Sequence, residues 1–330
     1  MTSSPLTIGL LAASGLVLFL YAVSRLAVAL RHVVGDRART ILNGCTRSVP
    51  AAILTGTLVT ILLDSSSVVI ILVITLVSAG VMPFRNSLGV VLGANVGTTI
   101  SSQLFAFDIG QYSVLAMLPG LLLLLLSKQR RNRSAGRALF SFGLLFFSLF
   151  LIGEAAAPLR SYPAVQAWLT QLAQPLRGVG AGALITVLVQ SSSATLGIVI
   201  KLAGKGLLTL PAGIAVMLGA ELGTCSDTLL ATLGRGRPPL RTGLFHLGFN
   251  VVCIALGLLL IQPFTALVLE MAPAADPARQ IAHAHVLFNL SGVVLFAPLL
   301  PLCQRLLEAL LPEHSPAAAA APAPLTSSTR

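Results

Sequence analysis

Long apolar runs recur along the whole chain, for example at residues 114–127 and 138–157. Only 9% of the 330 residues are charged, whereas a soluble protein has about 25%. The polar residues are too few to shield these runs from water. The solvent around the runs must therefore be lipid. Because a chain in lipid has to satisfy its backbone hydrogen bonds internally, the runs predict an all-α polytopic membrane protein.

The basic residues give the chain a net charge of +11 and concentrate at residues 31–39, 128–137 and 235–241. Because these stretches separate apolar segments, we interpret them as loops that set the topology and contact anionic lipid, and not as a nucleic-acid surface. The first 24 residues carry no charge, which predicts a first membrane helix and not a cleaved signal peptide. Residues 315–330, rich in Ala, Pro and Ser, predict a disordered tail.

The sequence repeats itself at an offset of 126 residues. Residues 56–98 and 182–224 share 17 identities in 43 positions without a gap, including three consecutive serines. Apolar bias alone would not align these serines, and duplicated halves are the usual plan of secondary transporters. The repeat therefore predicts a membrane carrier. The sequence shows no nucleophile–base pair, metal-ligand spacing or disulfide framework, so we predict neither an enzyme nor a metal site beyond transported ions.

In each copy, an apolar arm of about 13 residues leads to the serine triplet, and a second arm of similar length ends at Gly80 or Gly206. A helix needs about 20 residues to cross the hydrocarbon core, so each arm is too short to span it and too apolar for a loop. We predict a re-entrant hairpin with the serines at its buried tip. The alternative is an ordinary spanning helix with the serines on a packing face.

An apolar segment follows each hairpin, with the motif GANVGTT at residues 93–99 and GAELGTC at residues 219–225. Glycines weaken a helix at such a position, and broken backbone in lipid is tolerated where it lines a cavity. We therefore predict a discontinuous transmembrane helix at a binding site in each copy. The alternative is close helix packing through small residues.

Charge predicts how the two copies are oriented. If the three basic stretches lie on one side of the membrane, the first hairpin enters from that side and the second from the other. The repeats are then inverted, as in many alternating-access carriers. The predicted organisation is a first transport repeat with N-terminal helices at 1–127, a basic inter-repeat loop at 128–137, a second transport repeat at 138–241, C-terminal transmembrane helices at 242–312 and a disordered tail at 313–330.

Several motifs carry a family resemblance, namely VQSSSAT at residues 189–195, GANVGTT at 93–99, and the His-x-x-Phe-Asn segments at 246–250 and 285–289. Over roughly residues 7–310, the chain resembles the sodium–phosphate cotransporter family of animal type II carriers and bacterial relatives. The resemblance implies symport of inorganic phosphate with sodium ions by alternating access, in a bacterial inner membrane. Because the inter-repeat loop of animal relatives is extracellular while the basic residues here predict a cytoplasmic one, the absolute orientation stays open.

The serine triplets suit an anion. Serine hydroxyls donate hydrogen bonds without adding charge, and the second arm of each hairpin starts with free backbone N–H groups and a positive helix dipole. Two such tips meeting at the midplane predict a donor-rich phosphate cradle. The predicted phosphate-binding residues are Ser65, Ser66, Ser67, Gln190, Ser191, Ser192, Ser193 and Thr195.

The chain departs from the family pattern at Asp64, where Gln is usual, and at Glu221, where Asn is usual. Sodium ions held beside such carboxylates would cancel their repulsion of phosphate, so the anion would bind well only with the cations present. The predicted sodium ligands are Asp64, Asn95, Thr98, Thr99, Glu221, Thr224 and Asp227. Alternatively, Asp64 is a loop residue at the membrane surface. Glu221 could instead pair with Lys201 or Lys205.

Two other functions stay open. One is a carrier of another anion, such as a proton-coupled dicarboxylate carrier, although neither motif contains the Arg that usually faces a carboxylate. The other is a non-transporting phosphate sensor or scaffold of the same fold. We interpret His246 and His285 as helix-packing side chains and not as proton relays.

Overall fold

The computed structural model of the protein describes residues 4–44, 46 and 48–313, without the side chains of residues 34–36, 39 and 43. Over this part of the chain the structure is helical and has no β-strand, so the predicted all-α class is confirmed. The tail predicted at 315–330 lies outside the described residues. The helices are α1 Pro5–Gly44, α2 Val49–Leu63, α3 Ser66–Ser78, α4 Phe84–Ala106, α5 Val114–Leu126, α6 Arg130–Ala156, α7 Pro163–Gln171, α8 Pro175–Val189, α9 Ser192–Gly204, α10 Leu210–Gly223, α11 Cys225–Leu230, α12 Arg237–Leu259, α13 Ile261–Met271, α14 Pro277–Phe296 and α15 Leu300–Leu310.

The helix boundaries repeat at the same 126-residue offset as the sequence. The bounds of α2 and α8 differ by 126 residues at both ends, and so do those of α3 and α9. We call α2–α3 helix pair 1 and α8–α9 helix pair 2. The residue that joins the two helices of a pair, Asp64 or Gln190, has a left-handed backbone with a φ of 52° or 56°. Each pair is followed by a glycine, Gly80 or Gly206, with a φ of 69° or 70°, a conformation that strains residues with a Cβ.

Five helical segments are long and apolar enough to cross a membrane: Pro5–Val33, Phe84–Ala106, Arg130–Ser161, Arg237–Leu259 and Pro277–Leu310. In the described part, α7 and α8 would make a sixth if they are counted as one span, although they meet at 98°. The chain is therefore a multi-pass membrane protein. At 1.5 Å per residue, the 15 residues of α2 and the 13 of α3 extend about 22 and 20 Å, less than the hydrocarbon thickness of about 30 Å.

Glycines bring the first arm of helix pair 1 into backbone contact with α4. A Cβ added to Gly56 would overlap the carbonyl oxygen of Val90, and a Cβ added to Gly93 would overlap that of Ile53. The contact is thus reciprocal, with one glycine on each helix facing the backbone of the other. Small residues allow this close approach between membrane helices.

Helix pair 2 makes the same contact with equivalent residues. Gly182 of α8 faces the carbonyl of Val216, and Gly219 of α10 faces that of Val179. All four positions lie 126 residues after their counterparts in the first repeat. The sequence repeat is therefore also a repeat of atomic packing.

The predicted break in the helix after each pair is wrong for the first repeat. α4 runs unbroken through the GANVGTT motif, because its glycines pack on α2 and this packing outweighs their low helix propensity. The alternative interpretation, close packing through small residues, applies there. In the second repeat the helical hydrogen bonding is interrupted at Thr224, between α10 and α11, while the backbone keeps near-helical angles (φ −65°, ψ −16°).

The basic stretches are largely helical, which corrects their interpretation as loops. α1 continues through residues 31–39, α6 begins at Arg130 and α12 begins at Arg237. Arg and Lys are good helix formers, and their long stems can reach water from a helix end. A helix can therefore leave the hydrocarbon core without ending.

The glycine contact predicts a stability difference between two positions of α8. Gly182→Ala should lower the stability of the detergent-solubilised protein by about 1–3 kcal/mol, because the new Cβ meets a backbone oxygen that cannot move aside. Gly180 has no atom within 4 Å of an added Cβ, so Gly180→Ala should be neutral or stabilising by up to about 1 kcal/mol. Thermal unfolding measures both, and equal melting temperatures would contradict the packing role.

Candidate functional site

Each serine triplet starts the second helix of its pair. The Ser65 Oγ accepts a hydrogen bond from the Val68 amide at 3.3 Å, and α3 begins at the next residue, Ser66. Helix pair 2 has the same cap, in which the Ser191 Oγ accepts from the Ala194 amide at 3.1 Å. The first serine of each triplet is therefore an N-cap, which uses an oxygen lone pair locally and leaves the hydroxyl proton free to donate.

The second and third serines lie in the first helical turn. Because no residue stands four positions earlier in the helix, the amides of Ser66 and Ser67 have no intrahelical acceptor, and the same holds for Ser192 and Ser193. Ser67 is half-buried and the other three are buried. Each tip thus presents free amides, hydroxyls and the positive end of a helix dipole, a combination that binds anions.

The tip of helix pair 1 contacts the second repeat. The Ser67 Oγ lies 3.1 Å from the Thr224 Oγ1, at the interruption between α10 and α11. It also lies beside the carboxylate of Asp227, which accepts a hydrogen bond from the Thr228 amide at 2.7 Å. The structure therefore brings Ser67, Thr224 and Asp227 together across the repeats. Among the described residues, no hydrogen bond joins the two serine triplets directly.

Two other predicted phosphate ligands have different surroundings. The Thr195 hydroxyl accepts from the Thr186 Oγ1 at 2.8 Å and donates to the Ser191 carbonyl at 3.2 Å, so it ties the two arms of helix pair 2 together. Gln190 is exposed at the turn that precedes the triplet. In the described structure neither side chain hydrogen-bonds a serine hydroxyl of the triplet.

Asp64 faces its own repeat. Its carboxylate accepts a hydrogen bond from the Ser101 hydroxyl of α4. Both residues line a cavity of about 500 Å³ between α1, α2, α4 and α6, and no basic side chain is among its described lining residues. The half-buried carboxylate therefore lacks a cationic partner there, and the cavity offers it a route to ions or water.

Glu221 takes part in a buried hydrogen-bonded chain. Its Oε1 lies 2.9 Å from the His285 Nε2, and the His285 Nδ1 lies 2.7 Å from the Ser102 Oγ. The three side chains are at most 2% exposed and come from α10, α14 and α4. These hydrogen bonds therefore connect α4 of the first repeat to α10 of the second repeat through α14.

The interpretation of Glu221 as a partner of Lys201 or Lys205 is wrong. Lys201 pairs with Asp108 at 3.0 Å, and Lys205 pairs with Glu154 at 2.8 Å. Both lysines lie toward the C-terminal end of α9, away from the serine tip. The carboxylate of Glu221 is instead satisfied by an imidazole.

The other His-x-x-Phe-Asn segment makes the matching contact. The His246 Nδ1 lies 2.9 Å from the Thr228 Oγ1, and Thr228 stands 126 residues after Ser102. The position that matches Glu221 is occupied by Asn95, and within the described structure the His246 Nε2 has no partner. α12 and α14 therefore serve as equivalent helices. The interpretation of His246 and His285 as helix-packing side chains is confirmed. Sequence reasoning missed their partners, although the doubled His-x-x-Phe-Asn motif was the signal that the two histidines are equivalent.

The remaining predicted sodium ligands donate to their own helix. The Asn95 Nδ2 donates to the Val91 carbonyl at 2.9 Å. Thr98 donates to the Asn95 carbonyl at 2.7 Å, and Thr99 donates to the Val96 carbonyl at 2.8 Å. Because each group donates its hydrogen to the backbone, its oxygen lone pairs stay available. Oxygens of this kind are the ligands that hard cations prefer.

Comparison with known proteins identifies the family. The Na+/Pi-cotransporter family matches residues 18–154 and 161–295, which include both serine triplets. The chain is 31% identical over 252 residues to "Uncharacterized protein YqeW" of Bacillus subtilis, covering 76% of this chain and 81% of that protein. It is 28% identical over 288 residues to "Putative inorganic phosphate export protein YjbB" of Escherichia coli, covering 86% of this chain and 52% of that protein.

A shorter similarity reaches animal proteins. The chain is 35% identical over 107 residues to "Sodium-dependent phosphate transport protein 2B" of Homo sapiens, covering 31% of this chain and 16% of that protein. The chain thus spans about half the length of the Escherichia coli relative and less of the human one. No solved structure matches it. The chain belongs to the Na+/Pi-cotransporter family, which is a family of transporters and not of enzymes.

Proposed function

We propose that this protein carries inorganic phosphate together with sodium ions across a bacterial inner membrane by alternating access. The observation that carries the proposal is the matched geometry of the two serine triplets, each a capped helix start with free amides and hydroxyls. This donor set suits a tetrahedral oxyanion. Membership of the Na+/Pi-cotransporter family supports phosphate as the anion and sodium as the coupling ion.

The repeats would operate as inverted, re-entrant units. Each arm of a helix pair is shorter than the hydrocarbon core, so a pair that enters and leaves on one side places its serine tip at membrane depth. The basic helix ends support a common cytoplasmic side, with helix pairs 1 and 2 entering from opposite faces. The two repeats at 1–127 and 138–241, the connection at 128–137 and the helices at 242–312 would form one transport unit.

Phosphate would bind between the two tips. In this arrangement the free amides of Ser66, Ser67, Ser192 and Ser193 and the hydroxyls of both triplets replace its hydration shell. The full set of proposed phosphate-binding residues is Ser65, Ser66, Ser67, Gln190, Ser191, Ser192, Ser193 and Thr195.

Sodium would bind beside the anion. The contact of Ser67 with Thr224 and Asp227 puts a hydroxyl proposed for phosphate next to oxygens proposed for a cation. A cation there would attract phosphate and offset the charge of the carboxylate, so each ion would strengthen binding of the other. The proposed sodium ligands are Asp64, Asn95, Thr98, Thr99, Glu221, Thr224 and Asp227.

The direction of transport follows from gradients. The name of the Escherichia coli relative speaks of export, whereas the name of the human relative speaks of sodium dependence. A carrier that couples phosphate to a cation moves it inward or outward according to the combined gradients of the two ions. We propose coupling, and the prevailing gradients would set the direction.

The purified protein in proteoliposomes should accumulate labelled phosphate when an inward sodium gradient is imposed, because the two ions share a site. A potassium gradient of the same size provides the control for membrane potential and osmotic effects. Sulfate and succinate should compete weakly. Equal uptake with both cations would refute sodium coupling, and uptake of succinate in preference to phosphate would favour the alternative carrier of dicarboxylates.

Ser192→Ala should weaken phosphate binding and leave the fold intact. Ser192 lies in the first turn of α9 and is 6% exposed, and losing one hydrogen bond to a charged partner costs about 1.5–3 kcal/mol. The phosphate concentration for half-maximal uptake should rise roughly tenfold to a hundredfold. Ser78→Ala, at the exposed end of α3 away from the tip, is the matched control. An unchanged phosphate affinity in Ser192→Ala would refute the tip site.

Asp64→Gln should preserve transport and change its sodium dependence. The change gives repeat 1 the residue that repeat 2 has at Gln190, and both residues occupy the same left-handed turn. Loss of the carboxylate removes a charge that attracts a cation, so the sodium concentration for half-maximal uptake should rise by about tenfold, equivalent to about 1.4 kcal/mol.

Phosphate uptake at a series of sodium concentrations measures this effect. Glu270→Gln, which removes an exposed carboxylate on α13, controls for net charge. If the curves of the parent and Asp64→Gln coincide, Asp64 has no part in cation binding.

A further inference from the structure

A groove outside the proposed transport site lies between α1, α5 and α6. It has a volume of about 580 Å³. α6 packs against both α1 and α5, so it forms the floor of the groove while the other two helices form the walls. Its lining includes Tyr21 and Arg25 of α1, Leu121 and Leu124 of α5, and Ser134 and Arg137 of α6. We call it the Arg25–Arg137 groove.

The groove combines basic and apolar lining residues. Two guanidiniums line it, that of Arg25 from α1 and that of Arg137 from α6, and no acidic side chain is among its described lining residues. Both arginines are exposed, and among the described side chains neither has a carboxylate partner. Arg25 instead lies over the ring of Tyr21, at 5.1 Å from the ring centre. The charge of the groove is therefore uncompensated.

Helix length supports placing both guanidiniums at the edge of the hydrocarbon core. Arg25 follows the start of α1 at Pro5 by 20 residues, and Arg137 precedes the end of α6 at Ala156 by 19. At 1.5 Å per residue both distances are about 30 Å, the thickness of the core. If the far ends of α1 and α6 lie at one membrane interface, the two arginines lie at the other, where lipid phosphates are found.

We propose that the Arg25–Arg137 groove binds an anionic phospholipid. The two guanidiniums would hold the phosphodiester through paired hydrogen bonds, with Ser134 beside it as a neutral donor. An acyl chain would lie along the apolar wall formed by Leu121 and Leu124. Under the positive-inside rule this interface is cytoplasmic, and the anionic lipids of that leaflet match the charge of the groove.

Lipid suits the groove better than a free phosphate ion. The volume far exceeds one phosphate group, and five of the eleven lining side chains are apolar. Hydration of a free anion would be lost against these walls without replacement. A phospholipid satisfies both halves of the groove, because its charge and its hydrocarbon are on one molecule.

Native mass spectrometry of the delipidated full chain can test the proposal. The protein is titrated with phosphatidylglycerol, which is anionic, or with phosphatidylcholine of the same acyl chains, which has no net charge. The parent should bind phosphatidylglycerol more tightly than phosphatidylcholine. Each basic residue near a membrane surface contributes about fivefold in affinity, so the double variant Arg25→Ala/Arg137→Ala should bind it roughly 25-fold more weakly. Both positions are exposed, so the substitutions should leave the fold intact, and gel filtration checks this. Arg25→Lys/Arg137→Lys keeps the charge but loses the paired hydrogen bonds, so its affinity should fall between those of the parent and the double alanine variant.

The control removes the same charge elsewhere. Arg177→Ala/Arg305→Ala changes two exposed arginines on α8 and α15 and should keep the lipid preference. Equal binding of the two lipids by the parent, or unchanged binding of phosphatidylglycerol by Arg25→Ala/Arg137→Ala, would overturn the proposal. Displacement of the lipid by millimolar sodium phosphate but not by sulfate would also overturn it, because the groove would then be a site for the free anion.

Discussion

The backbone contact between each helix pair and the helix that follows it supports the rest of the structure. Gly56 and Gly93 in the first repeat, and Gly182 and Gly219 in the second, let two helices approach until carbonyl oxygens occupy the space of a side chain. In lipid there is no hydrophobic force between helices, so close packing and hydrogen bonds must hold them together. This contact fixes the first arm of each pair, and the left-handed turn then fixes where the serine tip points. The positions of both proposed anion-binding tips thus depend on four glycines.

Buried polar contacts join the two repeats, and they break the symmetry that the glycines establish. Glu221, His285 and Ser102 are linked by hydrogen bonds. At the equivalent positions, His246 contacts Thr228, and the amide side chain of Asn95 replaces the carboxylate. Leaving a buried hydrogen-bonding group without its partner costs about 1–3 kcal/mol, so loss of Glu221, His285 or Ser102 would weaken the contact between α4, α10 and α14. The repeats therefore share their helix pairs and glycine contacts and differ in electrostatics.

Sequence reasoning found the units but not the contacts between them. The 126-residue offset predicted the helix pairs, because serines and glycines have strong local preferences for caps and turns. The sequence alone could not show whether the glycines of α4 break the helix or allow it to pack closely on α2, because both roles require a residue without a Cβ. The pairing of Glu221 with His285 was also beyond it, because the two residues lie on helices far apart in sequence. The basic stretches were predicted as loops because charged residues mark the membrane interface. A helix can pass through that interface without ending, so the prediction was wrong.

The charge distribution around the serine triplets gives a physical reason for the proposed coupling. Both serine triplets and both Gly-Thr motifs lack Lys and Arg, while Asp64, Glu221 and Asp227 add carboxylates to these elements. Without cations, neutral donors alone would have to replace the hydration of a multiply charged anion that lies close to negative groups. The free-energy cost of this desolvation and repulsion rises as the surroundings lose water. A fixed arginine would remove that cost permanently and would hold phosphate in every state of the carrier. In the proposed mechanism, mobile cations would remove it only while they are bound, so phosphate would bind tightly on one side and be released on the other when the cations leave.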